Sequence, residues 1–220
     1  WLKSRPPPLF VALATKRDFI MKLLSLVVYK WQEDNSLEIY AAYDLTSFGF
    51  FHRGPVKEHI KFHSRLIVNR TALGRRSCVD FEQNLGKCYS YVSGQGMGAA
   101  VLVDSEYPLR VAFSLASEAI RIVSEQQAGN WEDATRDLEL KCPDVDELFA
   151  KFQNPAEADK LVKIEKDLEE VKGVVMQSMD DLLKRGESLD ALMQKSKDLS
   201  NTSVQFYRTA KKNNQCCKAW

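Results

Sequence analysis

The sequence predicts an α+β domain, a five-stranded antiparallel sheet with helices on both faces, followed by a coiled-coil segment. Three observations carry the prediction. Runs rich in β-branched and aromatic residues recur between turn residues over 21–104. Two stretches, beginning at Val56 and Leu109, place apolar residues on one helical face. From Leu161 to Asn213 a three–four apolar spacing runs unbroken, with a repeat of seven residues. A sustained repeat of seven is the signature of a left-handed coiled-coil seam.

In chain order, residues 21–31 and 37–45 read as a hairpin, with Asp34-Asn35-Ser36 between them. An aromatic loop follows, Ser47-Phe48-Gly49-Phe50-Phe51, and then Pro55, which suits the first turn of a helix. Val56, Ile60, Phe62, Leu66 and Ile67 mark that helix, and residues 71–76 break it. Short strands are expected at about 78–83, 86–93 and 98–104, with Gly94-Gln95-Gly96 as a hairpin turn. Pro108 starts a helix of roughly 109–127 whose core face is Val111, Leu115, Ile120 and Val123. Residues 128–142 are polar and poorly patterned, a short helix covers about 144–153, and Gln153-Asn154-Pro155 punctuates the chain before the heptads. The expected organisation is an extension at 1–20 that is disordered or non-native, a domain at 21–153, a coiled-coil motif at 156–213 and a tail at 214–220. Met21 opens the first strand-like run and reads as the start, with a native disordered arm at 1–20 as the alternative.

Composition restricts function. The 220 residues are 45% hydrophobic and 28% charged, as in soluble globular proteins. A net charge of +1 gives no argument for nucleic acid. No apolar run approaches the roughly 18 residues that span a bilayer. The five cysteines lack metal-ligand spacing, which points to a reducing cytosol. Gly94-Gln95-Gly96-Met97-Gly98 leads into a strand, whereas a nucleotide loop leads into a helix. His59 and His63 stand four apart on the first helix without a third ligand, and read as surface histidines. No nucleophile–base or paired-carboxylate motif stands out, so no enzyme and no cofactor or metal is expected.

The heptad seam is made of Leu161, Leu168, Val175, Leu182, Leu189, Ser196, Ser203 and Ala210 in one register. The other register is Ile164, Val171, Ser178, Arg185, Leu192, Leu199, Phe206 and Asn213. Arg185 therefore falls near the middle of the seam, where a guanidinium cannot shed its charge. A lone buried charge is costly unless partner chains supply acceptors, and a polar core position can fix register and partner number. Gly173 and Gly186 make the helix poor in isolation, each by about 1 kcal/mol against alanine. The chain ends Cys216-Cys217-Lys218-Ala219-Trp220, and a cysteine four from the end is the position of prenylation. Lys218 stands where an aliphatic residue is usual, and Trp220 lies outside the common terminal set. One lipid gives marginal membrane binding and two give stable anchoring, which prenyl at Cys217 with a second lipid at Cys216 would meet.

Taken together, SFGFF (47–51), DSEYPLRVAF (104–113), FQNPAEADK (152–160), LLKRGESLDAL (182–192) and FYRTAKKNNQCC (206–217) resemble the lipid-anchored longin-domain R-SNAREs of the synaptobrevin-like family. The resemblance implies a longin, profilin-like fold for 21–153 and a SNARE motif for 156–213. It implies a parallel four-helix bundle with three Q-SNARE helices, in which Arg185 meets three glutamines at the central layer. Leu161, Ile164, Leu168, Val171, Val175, Leu182, Leu189, Leu192, Leu199 and Phe206 would fill the core layers around it. It further implies vesicle fusion in ER–Golgi, endosomal or vacuolar trafficking, and a location in the cytoplasm and on the cytoplasmic face of Golgi, endosomal and vesicle membranes. The longin domain would fold back on the SNARE segment through a groove at Ile60 and Phe62. The competing reading is a lipid-tethered coiled-coil scaffold without fusogenic activity. Arg185 discriminates the two, because a homodimer would set two arginines face to face.

Overall fold

The computed structural model describes residues 22–81, 86–159 and 173–217, with side chains as far as Lys212. Met21, Leu161, Ile164, Leu168, Val171 and the last three residues lie outside the described residues.

Strands β1 (Leu23–Lys30) and β2 (Leu37–Tyr43) pair as the expected hairpin. Helix α1 (Arg53–Arg70) follows a 3-10 turn at Phe50–His52. Three further strands are β3 (Arg76–Asp80), β4 (Lys87–Val92) and β5 (Met97–Val103). Then come α2 (Leu109–Gln126) and α3 (Pro143–Lys151). The five strands are antiparallel in the order β2-β1-β5-β4-β3, which places β1 and β5 in the interior of the sheet. Both of these strands are buried on both faces, so they read as nearly continuous apolar runs. Successive side chains alternate: Val101 and Val103 face α2 and α3, whereas Ala100 and Leu102 face α1. Gly98 lies under α1, where an added Cβ would stand 2.9 Å from Val68 Cγ1 and 3.2 Å from Val92 Cγ2.

The sheet has a sixth strand that the sequence pattern did not announce. β6 (Val175–Ser178) comes from the heptad segment and runs parallel to β3, pairing Ser77 with Val175 through Asp80 with Ser178. The sheet is thus mixed rather than wholly antiparallel. At the opposite edge, the polar stretch before α3 covers β2: Leu138 N donates to Glu38 O at 2.7 Å and Leu140 N to Ile39 O at 3.2 Å.

The described part of the heptad segment is several pieces rather than one coiled-coil helix. After β6 come a 3-10 turn at Asp180–Leu182, helix α4 (Leu189–Lys195) and helix α5 (Asn201–Cys217). Gly173 and Gly186 adopt φ of +82° and +85°, the left-handed region that ends helices. Ser188 caps α4 by accepting from Ala191 N at 3.3 Å. Part of the apolar repeat, Leu182 and Leu189 among it, faces the domain. Met179, Leu182, Leu189, Met193 and Tyr207 join Val56, Ile60, Phe62 and Ile67 in one buried cluster. Each such side chain contributes about 1.5–3 kcal/mol of gross burial, before ordering entropy is subtracted.

Candidate functional site

The site is the seam between α1 and residues 179–210. α1 is buried almost all round, because the sheet covers one side and the heptad segment the other. Ile60 and Phe62, expected to line the groove, are 2% and 6% exposed within this second core. Leu182 and Leu189 are buried, and Leu192 and Leu199 pack against the same cluster. Phe206 is half-buried with its ring 5.6 Å from that of His52.

Arg185, expected at the central layer of a bundle with partner chains, is seen here in the chain alone. It is exposed in the turn before α4, not buried in a seam. Val175, expected in a core layer of the same bundle, is 50% exposed on β6. Val175 is drawn into the edge strand by pairing with Ser77. In the folded-back chain Gly186 breaks the helix, so the seam has no continuous inner face on which a charge would be trapped. Cys216 and Cys217 lie in the last turn of α5.

Polar groups fix the register of this docking. The Arg65 guanidinium grips two carboxylates, Asp198 side-on and Asp137 end-on. Its Nε and Nη2 donate to Asp198 at 2.6 and 3.0 Å, and its Nη1 and Nη2 to Asp137 at 3.0 and 2.9 Å. A further bond runs from Nη1 to Ser36 O, and the guanidinium lies over the Tyr29 ring at 5.5 Å. Burial alone would lower the Arg65 pKa, but the bonds from Asp198 and Asp137 outweigh it, and it is raised. Asp137 is likewise pulled below the usual carboxylate range: burial pushes it up, and Arg65 overcomes that. Lys61 adds a bond to Glu38 at 3.1 Å, so that β2, α1, the stretch before α3 and the segment before α5 share one charge network.

Along α1, Glu58 accepts from Ser200 N at 2.7 Å, and the Ser200 hydroxyl caps α5 through Ser203 N at 3.2 Å. His59 Nε2 and Ser203 O lie 2.8 Å apart, and His63 Nδ1 and His59 O are at the same distance. The Tyr207 ring stands 5.3 Å from His59 and 6.5 Å from His63. Both histidines, expected at the surface, are therefore buried under α5, at 6% and 4% exposure. Burial lowers both pKa values, that of His63 to about 4. At the other end of α1, Arg70 donates to Leu182 O at 3.1 Å and pairs with Glu187 at 3.0 Å, while Lys184 reaches Asp34 at 3.0 Å. A cavity of about 320 Å³ remains there beside Trp31 and Lys184.

Sequence reasoning missed Arg65, Asp137, Asp198 and Glu58. One signal was available: Arg65, His59 and His63 sit among Ile60, Phe62, Leu66 and Ile67, so α1 had too little polar face for a helix with one side in water. Among the described residues no group of acidic, histidine or cysteine side chains could hold a metal ion, and no helix is long and apolar enough to cross a membrane.

A sheet with α1 on one face and α2 and α3 on the other, joined to a heptad segment carrying an arginine, defines the longin-type SNARE class. The synaptobrevin family model matches residues 160–220. A YKT6 synaptobrevin homologue of Dictyostelium discoideum is 39% identical over 203 residues, covering 90% of this chain and 98% of its own length. The VAMP-like protein YKT61 of Arabidopsis thaliana is 38% identical and the ykt6 synaptobrevin homologue of Schizosaccharomyces pombe 33%, with the same shares covered. The chain belongs to this family of YKT6-type synaptobrevin homologues, R-SNAREs that act in vesicle trafficking with other SNARE proteins and are not enzymes.

Proposed function

We propose that this chain supplies the arginine-bearing helix of a four-helix bundle with three Q-SNARE helices, and that its longin domain holds the same helix inactive beforehand. One observation carries the reading. Leu182, Leu189, Leu192 and Leu199, which a bundle would bury, are packed on α1 instead, while Arg185 points to no buried partner and is exposed. The folded-back arrangement and the bundle then compete for one set of side chains. Zippering would straighten 161–213 into a single helix, bring Arg185 to three glutamines and draw two membranes together. Prenyl at Cys217 and a second lipid at Cys216 would hold the chain on the cytoplasmic face of Golgi, endosomal and vesicle membranes.

The test mixes the full chain with a glutamine-bearing Q-SNARE set and follows formation of a helical, SDS-resistant complex. Wild type is expected to assemble slowly, and Phe62→Glu and Asp198→Asn faster. Equal rates for all three would remove the inhibitory role, and no complex with any Q-SNARE set would remove the bundle. The mass of the native C-terminal peptide tests the lipids: an unmodified Cys217 ends that part of the reading.

A further inference from the structure

The loop before α1 presents two aromatic rings to solvent for which the SNARE reading has no use. Phe50 and Phe51 are 78% and 87% exposed, the largest exposures among the large apolar side chains described. The rings meet edge to face at 5.5 Å. Thr46, Ser47, Gly49, Arg53 and Gly54 around them are also exposed, so the tip protrudes and forms no groove.

The tip is braced. Phe48 is buried beneath it and donates from its N to Leu45 O at 3.0 Å. His52 N closes the 3-10 turn on Gly49 O at 2.8 Å, and Arg53 Nε donates to Phe48 O at 3.1 Å. Two large rings held out on a fixed turn find no burial among the described residues, although each would gain by leaving water.

Charge says what covers them. From Leu45 to Lys57 there are two basic residues, Arg53 and Lys57, and no acidic one. Phe206 of α5 lies against His52, and from Asn201 to the end of the chain the charged residues are Arg208, Lys211, Lys212 and Lys218, again with no acid. The carboxylates that flank this stretch in sequence are engaged: Asp44 holds Thr46 N at 3.0 Å, and Glu58 holds Ser200 N. Exposed aromatic rings flanked by cations fit the headgroup level of an anionic bilayer, where rings enter the interface and each basic residue is attracted to acidic lipid.

We infer that Phe50 and Phe51, with Arg53, Lys57 and the basic face of α5, form a membrane-inserting tip that docks the longin domain itself onto anionic lipid. The contact is separate from any lipid on Cys216 or Cys217 and adds to whatever anchoring they give. It sets the longin domain against the bilayer with Phe50 and Phe51 as the point of entry.

The experiment uses the full chain without lipid, so that it is independent of acylation. Co-sedimentation is measured with vesicles of phosphatidylcholine containing phosphatidylserine, and with phosphatidylcholine alone. Wild type is expected to bind the acidic vesicles, in a salt-sensitive manner. The double variant Phe50→Ser/Phe51→Ser is expected to bind about tenfold or more weakly with an unchanged thermal midpoint. Arg53→Ala/Lys57→Ala, with both rings kept, is expected to lose affinity chiefly at low salt. The inference is overturned if wild type binds neither vesicle, or if the ring variant binds as well as wild type. It is also overturned if wild type forms a concentration-dependent dimer that the ring variant abolishes, which would assign the rings to a second copy of the chain.

Discussion

Arg65 and Asp198 are 133 residues apart in sequence and meet side-on, Nε to Oδ2 at 2.6 Å and Nη2 to Oδ1 at 3.0 Å. Their side chains are 7% and 3% exposed, so the pair is dry. A dry pair is weak evidence for net stability, yet removing one partner strands the other charge. The pair therefore acts as a register pin: the heptad segment docks where Asp198 reaches Arg65.

Asp198→Asn is expected to loosen the docking by about 3 kcal/mol, the low end for a broken buried pair, because Asp137 keeps Arg65 paired. Hydrogen exchange should rise across 189–212 and stay unchanged in β1 and β5. Arg121→Ala provides the contrast. Its pairs with Glu118 and Glu125 on α2 are solvent-exposed, and the change is expected to move stability by less than about 1 kcal/mol.

The histidines under α5 predict an acid limb. His63 has an ordinary pKa of 6.5 when unfolded and about 4 when folded, so the unfolded state binds more protons between those values. Stability is complete above about pH 6.5 and falls as the pH is lowered towards 4, by about 3 kcal/mol from this group. Glu38, whose pKa burial raises, titrates in the opposite sense. Comparing urea midpoints of wild type and His63→Phe across this range isolates the histidine: the variant should show a flatter limb, and parallel curves would refute the assignment.

Gly186→Ala tests whether two conformations compete. At φ +85° alanine is strained by about 1 kcal/mol in the folded-back turn, with no atom within 4 Å to compensate. In a continuous helix the same change gains about 1 kcal/mol. The two effects add, and assembly with Q-SNARE helices is expected to quicken by roughly thirtyfold. A variant that assembles no faster would show that residue 186 is not helical in the bundle.

Gly98→Ala is expected to destabilise the domain by about 1–3 kcal/mol, because the new methyl meets Val68 Cγ1 at 2.9 Å. Combining it with Val68→Ala should recover part of the loss, so a thermal double-mutant cycle reads the close approach of α1 to β5 directly.

The elements written by period were legible before the structure. β1 and β2 were visible in their β-branched and aromatic runs, and α2 in the stripe of Val111, Leu115, Ile120 and Val123. The heptads were legible as an apolar repeat, but not their conformation, because Leu182 and Leu189 satisfy a bundle and the face of α1 equally well. What decides between those outcomes is spread over residues with no local signature. Asp137 lies in a stretch without pattern, and Asp198 is one acid among many. The strand propensity of Val174-Val175-Met176 was masked by its place in the repeat. His59 and His63 were misread as surface residues because the lid that buries them arrives more than 130 residues later, with Asp198 and Ser203.

β6 has one more consequence. It occupies the open side of β3, pairing Ser77, Cys78, Val79 and Asp80 in sequence. Pulling the heptad segment away would strip those four residues of their neighbour and leave a row of unpaired backbone groups, the template on which separate chains stack into aggregates. β6 thus shields a sheet edge of its own chain, a chaperone in cis for as long as it stays paired with β3.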